Sequence, residues 1–137
     1  MPRDLSLETR QAVVAHLRAY APLIALVPAN RVYGEFAGLE PEFPFIRMGY
    51  AIVSAYEATC WDGSESDFII HAFATGPGTD GLSHIAKRIV DGMAIFEPAA
   101  YGMPDNQWIS TQIMPDDVQG VLHAVIRFRL SMVVVGG

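Results

Sequence analysis

The one stretch of this chain spaced for ligand chemistry is Gly76-Pro-Gly78-Thr-Asp-Gly81, a literal G-x-G-x-x-G between an expected strand and an expected helix. Glycines at that spacing let a backbone approach a pyrophosphate at a helix N-terminus, and an acidic residue about 20 positions on, here Glu97, would reach a ribose. Glu97 stands beside Pro98 at a helix end rather than at the end of a second parallel strand, and no βαβ unit surrounds the motif. The competing reading is a strand-to-helix connection with Thr79 or Asp80 as N-cap. Four histidines, His16, His71, His84 and His123, come from separate elements without paired ligand spacing, so no metal or cofactor is expected. His71 and His123 fall on the polar side of strands, and His84 on a solvated helix face. Cys60, beside Trp61, has no neighbour in sequence that would lower its pKa. Asp62, Glu65 and Asp67, and again Asp116 and Asp117, lack the alternating register of a calcium loop and read as solvated carboxylates. No catalytic residue is assigned.

The chain's 137 residues suit one domain spanning 1–137 with a single core. With 51% hydrophobic and 18% charged residues, it has apolar surface to spare for subunit contacts. Fifteen acidic against nine scattered basic side chains give a net charge of −6, without the basic cluster that gripping nucleic acid requires. A single cysteine excludes an intrachain disulfide and points to synthesis in the cytosol. Neither a signal core nor a membrane-spanning apolar run is expected.

The elements that would position these residues follow from periodicity. Leu7, Val13, Val14, Leu17 and Ala21 share one face of a helix over 7–20, with Ser6 as its cap. Pro22 opens a further short turn, and Val32 and Tyr33 form a short extended piece. Residues 45–53 alternate as a strand, and a second strand follows over 67–74. The intervening 54–66 segment is too long for a tight turn, so it is either a protruding loop or a continuation of both strands into a two-stranded arm. Leu82, Ile85, Ala86, Ile89, Val90 and Met93 mark a second long helix. Two strands close the chain, 107–114 and 121–135; in the last, Leu122, Ala124, Ile126, Phe128, Leu130 and Met132 alternate with a face that carries charge. The order gives an α+β fold: a four-stranded, mostly antiparallel sheet with two main helices packed on one face. Tyr56, Trp61, Phe96, Tyr101, Met103 and Trp108 are read as loop residues, either as interface anchors or as lids over the core.

In order and spacing, the chain resembles the tail-completion proteins of long-tailed bacteriophages, prophages and gene transfer agents, also called tail terminators or head-tail joining proteins. The resemblance spans nearly the whole chain. It rests on the opening helix followed by Ala21-Pro-Leu-Ile-Ala-Leu-Val27, then Arg31-Val-Tyr33 and Phe43-Pro-Phe-Ile46, the strand-to-helix passage over 68–93, and the closing His123-Ala-Val-Ile-Arg-Phe-Arg129.

The resemblance implies a non-enzymatic virion protein at the tail end or neck. It implies a ring of copies, typically six, that ends the tail tube and meets the head-side connector or stopper, with DNA passing through the lumen unread. The segments expected to touch the tube are 54–66 and the 115–120 turn, with Tyr56, Trp61, Asp62, Asp116, Asp117 and Gln119 as candidate interface residues. Two alternatives remain at this point: a small nucleotide-binding protein or enzyme using the 76–81 loop, and a bacterial binding module unrelated to phage.

Overall fold

Strict alternation in the last segment organises the molecule, because a strand whose even residues are apolar must turn that side to a core. The computed structural model describes residues 3–56 and 62–134. In chain order they form α1 (Ser6–Ala19), α2 (Ala21–Ile24), a single 3-10 turn (Ala29–Arg31), β1 (Val32–Tyr33), β2 (Phe45–Ala55), β3 (Gly63–Thr75), α3 (Asp80–Ala94), β4 (Tyr101–Pro115) and β5 (Val121–Val134). The sheet order is β1-β2-β3-β5-β4. Four strands are antiparallel as expected, while β1 adds a fifth, parallel to β2, with Val32 opposite Ile46 and Tyr33 opposite Arg47. Two residues show no alternation, so this strand is defined by its neighbour alone.

Side-chain parity divides the sheet. Phe68, Ile70 and Ala72 of β3 and Ala124, Ile126, Phe128, Leu130 and Met132 of β5 are buried in one core with the helices. Phe68 and Phe128, opposite each other, stack at 5.7 Å. Helix α3 buries Leu82, Ile85, Ala86, Ile89 and Met93, the face its periodicity defined, and Asn106 Nδ2 of β4 donates to the Met93 carbonyl at its end (2.8 Å).

Helix α1 departs from expectation in two respects. Its buried face is Thr9, Val13, Val14 and Leu17, continued backwards by Leu5, whereas Leu7, about 200° round the helix from Leu5, is exposed. Its start is not capped by Ser6: Leu5 holds the cap position, and the Asp4 carboxylate accepts the Ser6 N–H (2.8 Å). The Leu5 N–H donates instead to the buried Ser64 hydroxyl of β3 (3.0 Å), tying the helix to the sheet.

Strands β2 and β3 continue as a paired arm to Ala55 opposite Ser64, the second of the two forms expected for the 54–66 segment. The opposite face of the sheet carries no helix among the described residues. Its lower end is covered by a small cluster of Phe45, Phe73 and Val121 with Tyr33 and Ala37.

Replacing Phe128 by Ala is expected to cost about 3–5 kcal/mol through cavity formation. Ser64→Ala, which strands the Leu5 N–H, should cost about 1–3 kcal/mol. Both are measured as shifts in the urea midpoint at constant slope.

Candidate interaction surfaces

The six candidate interface residues do not form one patch. Tyr56 and Asp62 flank the tip of the β2–β3 arm, where Tyr56 N–H donates to the Gly63 carbonyl (3.2 Å) and Val134 N–H to the Asp62 carbonyl (2.8 Å). Asp116, Asp117 and Gln119 lie in the β4–β5 turn at the other end of the sheet, about 40 Å away along β3 by strand rise. Trp61 and Cys60 lie outside the described residues. Within the turn Asp117 and Gln119 are exposed, but Asp116 is half-buried and its carboxylate accepts the Val118 N–H (3.3 Å). A flat partner meeting one end of the sheet therefore touches one set only.

The glycine loop lacks the setting its motif requires. Strand β3 leads into it, but β3 has antiparallel neighbours on both sides, and Glu97 is exposed in the connection to β4. Thr79 holds the N-cap position of α3 without a side-chain capping bond. Gly76, with φ +143°, has a conformation that favours glycine, while a Cβ at Gly78 or Gly81 would meet open space. This is a turn into a helix.

On the helix-free face, the structure joins residues that the sequence left apart. His71 Nδ1 and His123 Nε2 lie 2.6 Å apart, and His123 Nδ1 faces Asp116 Oδ1 at 3.7 Å. A tautomer in which His71 Nδ1–H donates to His123 Nε2 leaves the other His123 N–H facing the carboxylate. His123 also stacks on Phe73 at 4.2 Å, Phe73 stacks on Phe45 at 4.7 Å, and the Arg47 guanidinium sits 5.4 Å from the Phe73 ring centre. The relay ends at a wall rather than a nucleophile, because a Cβ built on Gly49 would lie 2.4 Å from His71 Nε2. Glycine at 49 is what lets the imidazole lie against β2. Higher on the same face Arg129 pairs with Asp67 (3.2 Å) and Glu65 (3.7 Å). Among the described residues, no three His, Cys, Asp or Glu side chains come together to hold a metal ion.

The sheet's two borders are the features that periodicity missed. Beyond the bulge between Met48 and Ala51, β2 runs past the end of β1 and has no outer neighbour among the described strands. Tyr50 there is 92% exposed and Ile52 75%. Their strand borders a hollow of about 690 Å³ shared with Ser6, Thr9 and Arg10 of α1. The other border is β4, bulged between Gly102 and Asp105 and between Trp108 and Ser110, with Trp108 54% and Ile109 42% exposed. Of the aromatic and methionine side chains weighed as anchors or lids, Phe96 is buried, and Tyr101 and Met103 pack on the core. Trp108 points outward from a strand, its indole N–H on the Thr111 hydroxyl (3.0 Å).

Burial, then the Arg47 charge, then His123 lower the His71 imidazole to about 4. Burial also lowers His123, against the opposing pull of Asp116 and with the help of Arg47. Both rings are therefore neutral in the folded protein at pH 7. Below the ordinary value of about 6.5 the unfolded chain takes up protons that the folded chain refuses, so stability present above pH 6.5 is lost as pH falls towards 4. The expected loss from His71 is about 1 kcal/mol between pH 6.5 and 5.5, and His71→Asn should remove that share of the slope in urea titrations repeated across pH.

Comparison with known proteins gives a family and a fold. The family described as Tail completion protein gp17 matches residues 11–132. No curated protein matches significantly. A chain from the virion of a native gene transfer agent particle superposes with a TM-score of 0.78 at 18% identity, over 95% of this chain and 99% of that one. The bacteriophage SPP1 gp17 protein superposes with a TM-score of 0.58 at 19% identity, over 93% and 91%. With the family match running from the first helix into the last strand, the chain belongs to the gp17 tail-completion family.

Proposed function

We propose that the protein is a structural component of a virion, located at the tail end or neck, that closes the tail tube and joins it to the head-side connector or stopper. The observation that carries the reading is the family match over residues 11–132. The shared fold with a gene transfer agent virion chain and with SPP1 gp17 agrees with it. The role is assembly rather than catalysis, and the working form is a ring of identical copies, six by the family resemblance, made in the host bacterial cytoplasm. A closed ring leaves no open end onto which further copies add, which is how growth of a tube stops.

The separation of the two candidate segments suits a subunit with a partner on each side. One end of the sheet, at Tyr56 and Asp62, meets the tail-tube protein or the connector; the opposite end, at Asp117 and Gln119, meets the other. The net charge of −6 suits a lumen through which DNA slides without being gripped, since carboxylates repel phosphate. Arginines lining that lumen would overturn this part of the reading.

The test is electron microscopy of particles made with and without the chain. Loss of the chain should give tails of abnormal length and unattached heads. Tails of normal length joined to heads would remove the proposal. Asp117→Lys combined with Gln119→Lys should block one junction and leave the other intact, which the same images read as free heads with finished tails, or as unfinished tails.

A further inference from the structure

The two borders of the sheet match each other in a way that neither one shows alone. An edge strand exposes a row of unpaired N–H and C=O groups, and soluble proteins guard such rows with charge, proline or short length. Here residues 49–56 and 106–115 carry no charge at all, in a chain that is 18% charged. Proline appears in these stretches only at Pro115, the last residue of β4; Pro104 and Asp105 stand just before the second stretch, so the β4 border is guarded at that end and bare beyond it.

The registers place the two borders level. Ile69 of β3 lies opposite Arg127 of β5; the β2 bulge at Gly49 and Tyr50 flanks that row on one side, and the β4 bulge at Ile109, next to Ser110 opposite Arg127, flanks it on the other. Both bulges thus fall at one height, and each presents a large exposed apolar side chain, Tyr50 and Ile109. A few residues along, Ile52, Asp67, Arg129 and Gln107 share one row, as do Ser54, Glu65, Ser131 and Asp105. Arg3 flanks Ser54 and Ala55 at the β2 border, at the height of Asp105 on the other. At the opposite end Arg47 precedes the uncharged part of β2, while Asp116 and Asp117 follow that of β4. Alternation of direction through β2, β3, β5 and β4 makes β2 and β4 antiparallel to each other, so a second copy set beside the first in the same orientation offers the better kind of pairing.

We infer that the distal half of β2, residues 50–55, pairs with residues 104–109 of β4 in a second copy of this chain, level and head to tail. Tyr50 of one copy then meets Ile109 of the next, Ala51 and Ile52 lie opposite Trp108 and Gln107, and Arg3 meets Asp105. The contact is heterologous: it uses unlike borders, so every copy in a closed ring has both borders covered. A two-fold contact of β4 with β4 would leave each β2 border bare. The inference rests on the ring proposed above and names the joint that closes it.

The experiment uses the full chain with a charge placed on one border at a time, Ile52→Lys or Ile109→Lys, both at exposed positions that should leave the melting temperature within about 2 °C of wild type. Sedimentation velocity from micromolar to millimolar concentration gives the mass. Wild type should associate beyond the dimer, and each variant alone should lose that association by at least tenfold. Mixed, the two variants should form a one-to-one dimer and nothing larger, because only β4 of Ile52→Lys and β2 of Ile109→Lys remain intact.

Wild type monomeric at millimolar concentration, variants that associate as wild type does, a mixture that stays monomeric, or Ile52→Lys dimerising alone would each overturn the inference. If either lysine lowers the melting temperature further, Ser54→Lys and Gln107→Lys test the same borders from neighbouring positions. Failure here leaves the tail-closing reading standing if particles still need the chain to finish and attach tails; normal particles without the chain would remove that reading whatever the mass of the isolated protein.

Discussion

The β3–β5 ladder fixes everything else in this molecule. It runs unbroken from Gly63 opposite Val133 to Thr75 opposite Val121, and a shift of one residue would exchange every core side chain for a surface one. Because Phe68, Ile70 and Ala72 on one strand and Phe128, Ile126 and Ala124 on the other must all face the helices, the register has one solution. The same parity sends His71, His123, Asp67 and Arg129 to the other face, so the polar relay and the ion-pair group follow from the packing of the core.

Regularity falls off away from that ladder. The β2–β3 pair carries one bulge and the β5–β4 pair two. A bulge twists a strand and re-aims a side chain. In β2 it turns Tyr50 outward and leaves glycine at 49 against the His71 ring; in β4 it does the same for Ile109. The sheet thus has a centre specified by hydrophobic parity and borders that parity does not specify.

That division also explains how much could be read from sequence. The α3 face and the β5 alternation were legible because burial and periodicity coincide there: Leu82, Ile85, Ile89 and Met93 recur at helical spacing and are buried. The start of β3 was open between loop and arm, because Gly63, Ser64, Glu65 and Ser66 are small or polar, although Ser64 and Ser66 are buried and Ser64 accepts the N–H that anchors α1. The first part of β4 was hidden by Pro104 and Asp105, which an edge strand tolerates and a central one does not. The cap position of α1 fell to Leu5, one residue before the expected Ser6, whose N–H donates to the Asp4 carboxylate. Of the candidate surfaces, the two loop ends were singled out by their composition. The borders were not, since an edge is a fact of strand order, and strand order depends on contacts far apart in sequence.

The modest size of the inferred joint is itself informative. About six paired residues form a ladder of roughly 20 Å, in which Tyr50 and Ile109 are the large side chains that meet, well short of the area that holds a stable isolated pair. Each copy in a ring makes two such contacts, and closure turns the last of them into an intramolecular event at high effective concentration. A subunit built this way stays dispersed while dilute and closes when a template gathers its copies at one place. Stronger joints would let rings or open chains form away from the tube, where they would stop nothing. Borders short enough to be weak singly and matched well enough to close together suit the terminating ring proposed above, and the bulges, by limiting the regular stretch on each border, set that length.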